Sequence, residues 1–152
     1  MQARPGTYAL VMACSSDQRI EVGKLGRLHL QIGFYVYVGS AFGPGGLKAR
    51  IAHHVKISER PHWHIDYLRP ALDLTEIWFT HDSRHREHQW AGVLANFGHT
   101  TTPISGFGAS DCHCISHLFF FDSLPSGTGF RRRVHASLNP HGKMFIKNHL
   151  TK

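Results

Sequence analysis

Arg50 and His54 stand four residues apart in the stretch Leu47-Lys48-Ala49-Arg50-Ile51-Ala52-His53-His54. Leu47, Ile51 and Val55 recur at the same interval. That spacing predicts a short helix over about 46–55 and puts Arg50 and His54 on one of its faces. Arginine offers planar, permanently charged donors that match a phosphate, and histidine titrates near enough to neutrality to move a proton. Lys48, His53 and Lys56 add positive charge around the same helix. The set is suited to gripping an anion, although taken alone it equally describes a solvated helix face.

Residues 34–38 form an apolar alternating run that stops at Gly39-Ser40-Ala41, followed by a bend rich in glycine at Gly43-Pro44-Gly45-Gly46. A strand, a tight turn and a helix therefore carry the Arg/His pair. Upstream, 8–12 reads as a strand, and 19–22 with 28–32 read as a small hairpin. Downstream, the aromatic segment 61–68 is held to about two turns by Pro70. Residues 74–80 read as a further strand. Ser83 is the expected N-cap of a helix running to about Asn96, with Trp90, Ala91 and Leu94 as its apolar stripe. Glu87 lies three and four residues before Trp90 and Ala91, a carboxylate on the inward face that calls for a partner. Residues 98–111 read as a loop, 118–121 as an apolar strand, 131–138 as helix and 143–149 as a last short strand. The expected fold class is α/β (α+β): a single compact domain over 1–152, with a small central mixed or antiparallel β-sheet flanked by helices.

The chain of 152 residues carries 17 Lys+Arg against 10 Asp+Glu, a formal charge of +7 with its 14 histidines neutral. Such a balance favours a polyanionic partner, most simply nucleic acid. A second basic group, Arg131-Arg132-Arg133, forms one electrostatic track with Lys48, Arg50, His53, His54 and Lys56 if both face the same groove. Trp63, with His62 and His64, is either a stacking surface for exposed bases or a core aromatic. The cysteine count of three, an odd number, argues against a secreted disulfide scaffold, and no window reaches the ~18 apolar residues of a membrane span. The expectation is a soluble, cytoplasmic protein.

Five residues then fall into an order. Gly6-Thr7-Tyr8, Tyr37-Val38-Gly39, Arg50, His54 and Glu87 resemble the GIY-YIG nuclease superfamily, with Thr7 in the usually apolar middle place of the first half-motif. The half-motifs lie further apart than in compact members, and the hairpin over 19–32 accounts for the excess. The stretches 35–41, 62–68 and 106–119 resemble a poorly characterised branch whose members occur alone or joined to an endonuclease III-like repair enzyme. The core resemblance covers about 6–97, the branch likeness extends it to about 121, and 98–152 is a C-terminal extension.

The resemblance implies a metal-dependent endonuclease acting on DNA phosphodiester bonds, in repair or processing. Tyr8 would position or deprotonate the attacking water, with Tyr37 supporting it. Arg50 would bind the scissile phosphate, His54 would assist proton transfer, and Glu87 would hold Mg²⁺ or Mn²⁺. Singly, each has a plainer reading: Tyr8 and Tyr37 as strand aromatics, Glu87 as a partner of Arg84 or Arg86. Glu76 and Asp66 compete for the metal. A non-catalytic nucleic-acid-binding module with the same fold is the alternative function.

Cys112-x-Cys114-x-x-His117 offers thiolate and imidazole ligands for zinc, but structural zinc sites close with four ligands. Cys14, His113 or a distant histidine would have to complete it. The other reading is a conformational corner with the cysteines packed as small apolar groups.

Overall fold

The computed structural model describes residues 1–98, 102–103, 107 and 116–149. Six strands form one sheet in the order β6-β7-β4-β1-β5-β8, in which every pair is antiparallel. They are β1 (Gly6–Cys14), β4 (Gly33–Ala41), β5 (Asp73–Thr80), β6 (Thr102–Pro103), β7 (Leu118–Phe121) and β8 (Met144–Asn148). The hairpin expected over 19–32 forms as β2 (Gln18–Val22) and β3 (Gly26–Leu30), a separate two-stranded sheet. The helices are α1 (Gly46–Val55), α2 (His64–Leu68), α3 (Glu87–Leu94) and α4 (Gly127–Ser137). This is an α+β fold, and no described helix is long and apolar enough to cross a membrane.

Alternation along β1 and β4 divides the core. Tyr8, Leu10 and Met12 with Tyr35 and Tyr37 face one side, where Leu47 and Ile51 of α1, Ile65 and Leu68 of α2, and Val22 and Leu30 of the hairpin close over them. Ala9 and Val11 with Val36 and Val38 face the other side, against Trp90 and Leu94 of α3 and Phe130 and Val134 of α4. Both faces are covered, so β1 and β4 are buried almost throughout.

The segment 34–38 runs on through Gly39, Ser40 and Ala41, all of which stay in β4 and pair with β1. Pro70 ends α2 as expected, because the chain tightens into a 3₁₀ turn at Arg69–Ala71. The helix expected from Ser83 begins only at Glu87, and Ser83 does not cap it. Asp82 competes for this segment. Its carboxylate accepts from the backbone N–H of Arg84 at 2.9 Å and from Arg86 Nε at 3.2 Å, which holds the connection out of helical geometry. Arg86 is buried there and also donates to Gln89 and to the Pro140 carbonyl.

Candidate functional site

One end of the sheet collects the polar groups. In the register of β1 and β4, Tyr8 lies opposite Gly39 and Thr7 opposite Ser40. The loop into α1 leaves from that end of β4, the loop into α3 leaves from the same end of β5, and His117 immediately precedes β7 there. Three connections therefore deliver side chains to one place.

Gly39 is glycine because Tyr8 lies across it: a Cβ at this position would overlap the phenol oxygen. The ring is thereby aimed at α1, where Tyr8 Oη is 2.6 Å from His54 Nε2. Gly6 plays the matching part at the strand's start, where a Cβ would overlap the Thr80 carbonyl and Leu47 of α1. The two half-motif glycines thus let α1 settle close enough for His54 to reach Tyr8.

Arg50 lies close enough to Tyr8 for its charge to pull the phenol pKa down. Its Nη1 donates to the Ser40 carbonyl at 2.8 Å, and its guanidinium lies 4.3 Å from the centre of the Trp63 ring. Trp63 is half-buried and packs against the core. Arg50 lines a cleft of about 220 Å³ with Pro44, Gly46, His53 and Trp63. Tyr37 is buried beside them, its ring 6.4 Å from that of Tyr8.

Burial governs the charges. It pushes the Tyr8 phenol well above its ordinary range against the pull of Arg50, and raises Tyr37 in the same way. It pushes His54 down to about 3, with Asp66 opposing. At neutral pH Tyr8 and His54 are both uncharged. Tyr8 is almost wholly buried, so its hydroxyl meets Arg50 and His54 in place of solvent.

Glu87 opens α3 and its side chain turns toward β4. Burial works against its ionisation, yet hydrogen bonds from His117 and Ser40 hold its carboxyl below the usual range. His117 Nδ1 lies 2.7 Å from Glu87 Oε2. The partner of the inward carboxylate is therefore His117 and Ser40, and Arg86 turns to Asp82. Ser40 stands between the two halves: its carbonyl accepts from Arg50, and its side chain is among the groups that hold the Glu87 carboxyl low. The sequence reading passed over Ser40, although it directly follows Tyr37-x-Gly39. It also passed over Thr7 as a polar group: buried on the opposite side of β1, Thr7 Oγ1 accepts from Arg86 N, the residue before Glu87, over a long 3.4 Å.

The competing carboxylates are otherwise employed. Glu76 accepts from Trp78 Nε1 at 2.9 Å. Asp66 accepts from the backbone N–H groups of His62 and Trp63 at the start of α2 and pairs with His53 Nε2 at 3.0 Å. Among the described residues, two triads have ligand atoms within 4.8 Å of one another, His53/His54/Asp66 and Glu87/His88/His117. In the first, Tyr8 takes His54 Nε2, His54 Nδ1 is buried with no hydrogen-bond partner among the described residues, and Asp66 already accepts three bonds; the second sets the Glu87 carboxylate beside two imidazoles.

The two basic groups do not share a groove. Lys48 and Lys56 are exposed on α1, over one face of the sheet. Arg131, Arg132 and Arg133 lie on α4, which packs on the other face. Of the zinc set, Cys112 and Cys114 lie outside the described residues, as does His113. Cys14 is buried opposite Gly33, at the far end of β4 from His117, whose carbonyl accepts from Val38 N. About five residues of strand, roughly 17 Å, separate them, so Cys14 does not complete a site with His117.

The fold and site define an α+β protein with an Arg/Tyr/His cluster and a Glu/His cluster, one serine standing between them. The chain belongs to the family described as domain of unknown function DUF123, whose model matches residues 7–139. No curated protein and no solved structure matches it.

Proposed function

We propose that this is a GIY-YIG-type site and that the protein hydrolyses phosphodiester bonds of DNA with the help of a divalent cation. The observation that carries the reading is the convergence of Tyr8, His54, Arg50 and Glu87 at one end of the sheet: Tyr8 Oη lies 2.6 Å from His54 Nε2, Arg50 donates to the Ser40 carbonyl, and the charges of Arg50 and Glu87 both act on the Tyr8 phenol. It joins an anion-binding guanidinium, a metal-ligating carboxylate and a proton-accepting pair, and the sequence order of its members matches the family resemblance. The exposed Lys48 and Lys56 beside it supply attraction for a phosphate backbone.

In this mechanism Arg50 is the phosphate-binding residue. Moving its donors from the Ser40 carbonyl onto a non-bridging oxygen of the scissile phosphate neutralises charge that builds during attack. With Tyr8 as donor to His54 Nε2, the phenol oxygen takes a proton from the attacking water while passing its own to the imidazole; the water oxygen bonds to phosphorus, the ester P–O bond breaks, and the departing alkoxide takes a proton from bulk water. The relay starts from a neutral pair, which suits groups buried away from counter-charge. Glu87 would hold the divalent cation, which when bound would add charge stabilisation on the phosphoryl group. Trp63 keeps Arg50 in the plane of the cleft.

The test is nicking of supercoiled and branched DNA with Mg²⁺ or Mn²⁺. Arg50→Ala and Glu87→Ala should each lower the rate by about 10²–10³-fold or more, with unchanged circular dichroism. If both variants cut as fast as the unaltered protein, the assignment is wrong.

A further inference from the structure

Glu87, His88 and His117 differ in how firmly they are held. His117 is buried and tied at both backbone groups: its N–H donates to the Phe107 carbonyl at 2.8 Å and its C=O accepts from Val38 N at 2.9 Å. Glu87 is fixed by His117 and Ser40. His88, the next residue of α3, is exposed, with its ring centre 5.7 Å from that of His117. Two ligands are therefore placed in advance and the third swings in from solvent. Their donor atoms lie within 4.8 Å of one another, a spacing that side-chain rotation closes onto one ion with bonds of about 2.0–2.2 Å.

The donor types discriminate between ions. Mg²⁺ takes oxygen ligands in a tight octahedron and surrenders its waters reluctantly. Two imidazoles beside one carboxylate suit first-row transition metals instead. We infer that Glu87, His88 and His117 form a mixed carboxylate–imidazole site for a transition-metal dication of the Mn²⁺ or Zn²⁺ class, with Mg²⁺ the weaker occupant. This deepens the proposed function at the same carboxylate, but the binding itself requires no substrate. His117 coordinates through an unprotonated nitrogen, so any proton it shares with Glu87 leaves to solvent on binding.

The experiment uses the full chain, stripped with a chelator and kept free of nucleic acid. Mn²⁺ is titrated by electron paramagnetic resonance, with Zn²⁺ and Mg²⁺ as competitors. The expected result is one equivalent of Mn²⁺, bound at least about a hundredfold more tightly than Mg²⁺. Pulsed measurements should resolve ¹⁴N coupling from directly bonded imidazole. His88→Ala and His117→Gln should each weaken Mn²⁺ by about tenfold or more and reduce that coupling. His88 is exposed, so its variant reports on binding even if altering buried His117 disturbs the fold. Mn²⁺ bound without nitrogen coupling, Mg²⁺ bound equally well, no stoichiometric Mn²⁺, or undiminished affinity in His88→Ala would each overturn the inference. Nitrogen-ligated Mn²⁺ without DNA cleavage would sink the nuclease reading alone. Mg²⁺-supported cleavage with no nitrogen-ligated Mn²⁺ would sink this inference alone.

Discussion

Between Tyr8 and His54 a 2.6 Å hydrogen bond is buried with neither partner charged. His54 has an ordinary pKa near ~6.5 once the chain unfolds, and burial lowers it to about 3 in the fold. Between those values the unfolded chain binds the extra proton. Stability conferred by keeping His54 neutral is therefore complete above about pH 6.5 and declines as pH falls toward 3. His141, also lowered by burial, acts in the same direction. The lowered carboxylates Asp66, Asp82 and Glu87 contribute only below about pH 4 to 5. The urea midpoint should accordingly fall between pH 7 and pH 5, and fall less in His54→Gln, which keeps a partner for Tyr8 without a titrating ring. An equal fall in both proteins would show that His54 is not the source. Arg50 and His54 were legible from their spacing of four, and Glu87 from its place on an apolar face. Ser40 was not, because its carbonyl and hydroxyl act through strand geometry that a serine's identity does not disclose. Nor was His117 as the partner of Glu87, because the contact joins residues thirty positions apart on separate elements.

Elements fix where those residues meet. β1 and β4 are locked by nine paired positions, and Tyr8 over Gly39 is the pair on which the site turns. Gly39→Ala should push the Tyr8 ring aside, cost roughly 1–3 kcal/mol of stability through overpacking, and lengthen the Tyr8–His54 bond. Denaturant unfolding together with the chemical shift of His54 would measure both, and an unperturbed His54 signal would refute the packing argument. Strands and the Arg50 helix could be read from apolar period alone, since their patterns agree with their burial. The start of α3 could not. Ser83 carries the right chemistry for a cap, but Asp82 has both more acceptors and a buried arginine to satisfy, and it wins the segment. That displacement makes Glu87 the first residue of α3, at its N-terminal end, where a negative charge is favoured by the helix dipole.

Across the whole molecule, which carries a net charge of +7, basic groups lie on both sides of the sheet. α1 carries Lys48 and Lys56 beside the site, while the three arginines of α4 lie behind the sheet. Composition raised the expectation of a polyanionic partner without showing this division, because sidedness depends on which helix covers which face. If α1 tracks a phosphate backbone, Lys48→Ala and Lys56→Ala should each weaken DNA binding and lower the salt slope by about one unit. Arg132→Ala and Arg133→Ala should leave both nearly unchanged. Fluorescence anisotropy across a salt series decides this, and equal losses at both helices would place the contact elsewhere. The order of strands has one more consequence. Among the described residues β8 ends the sheet, so one row of its peptide groups meets no strand of that set, and Phe145 is exposed nearby. Such a border is a template on which another copy can crystallise into a growing ribbon. Exposed Lys147 lies on that border and exposed Lys143 directly before it, charges of the kind that discourage pairing edge to edge.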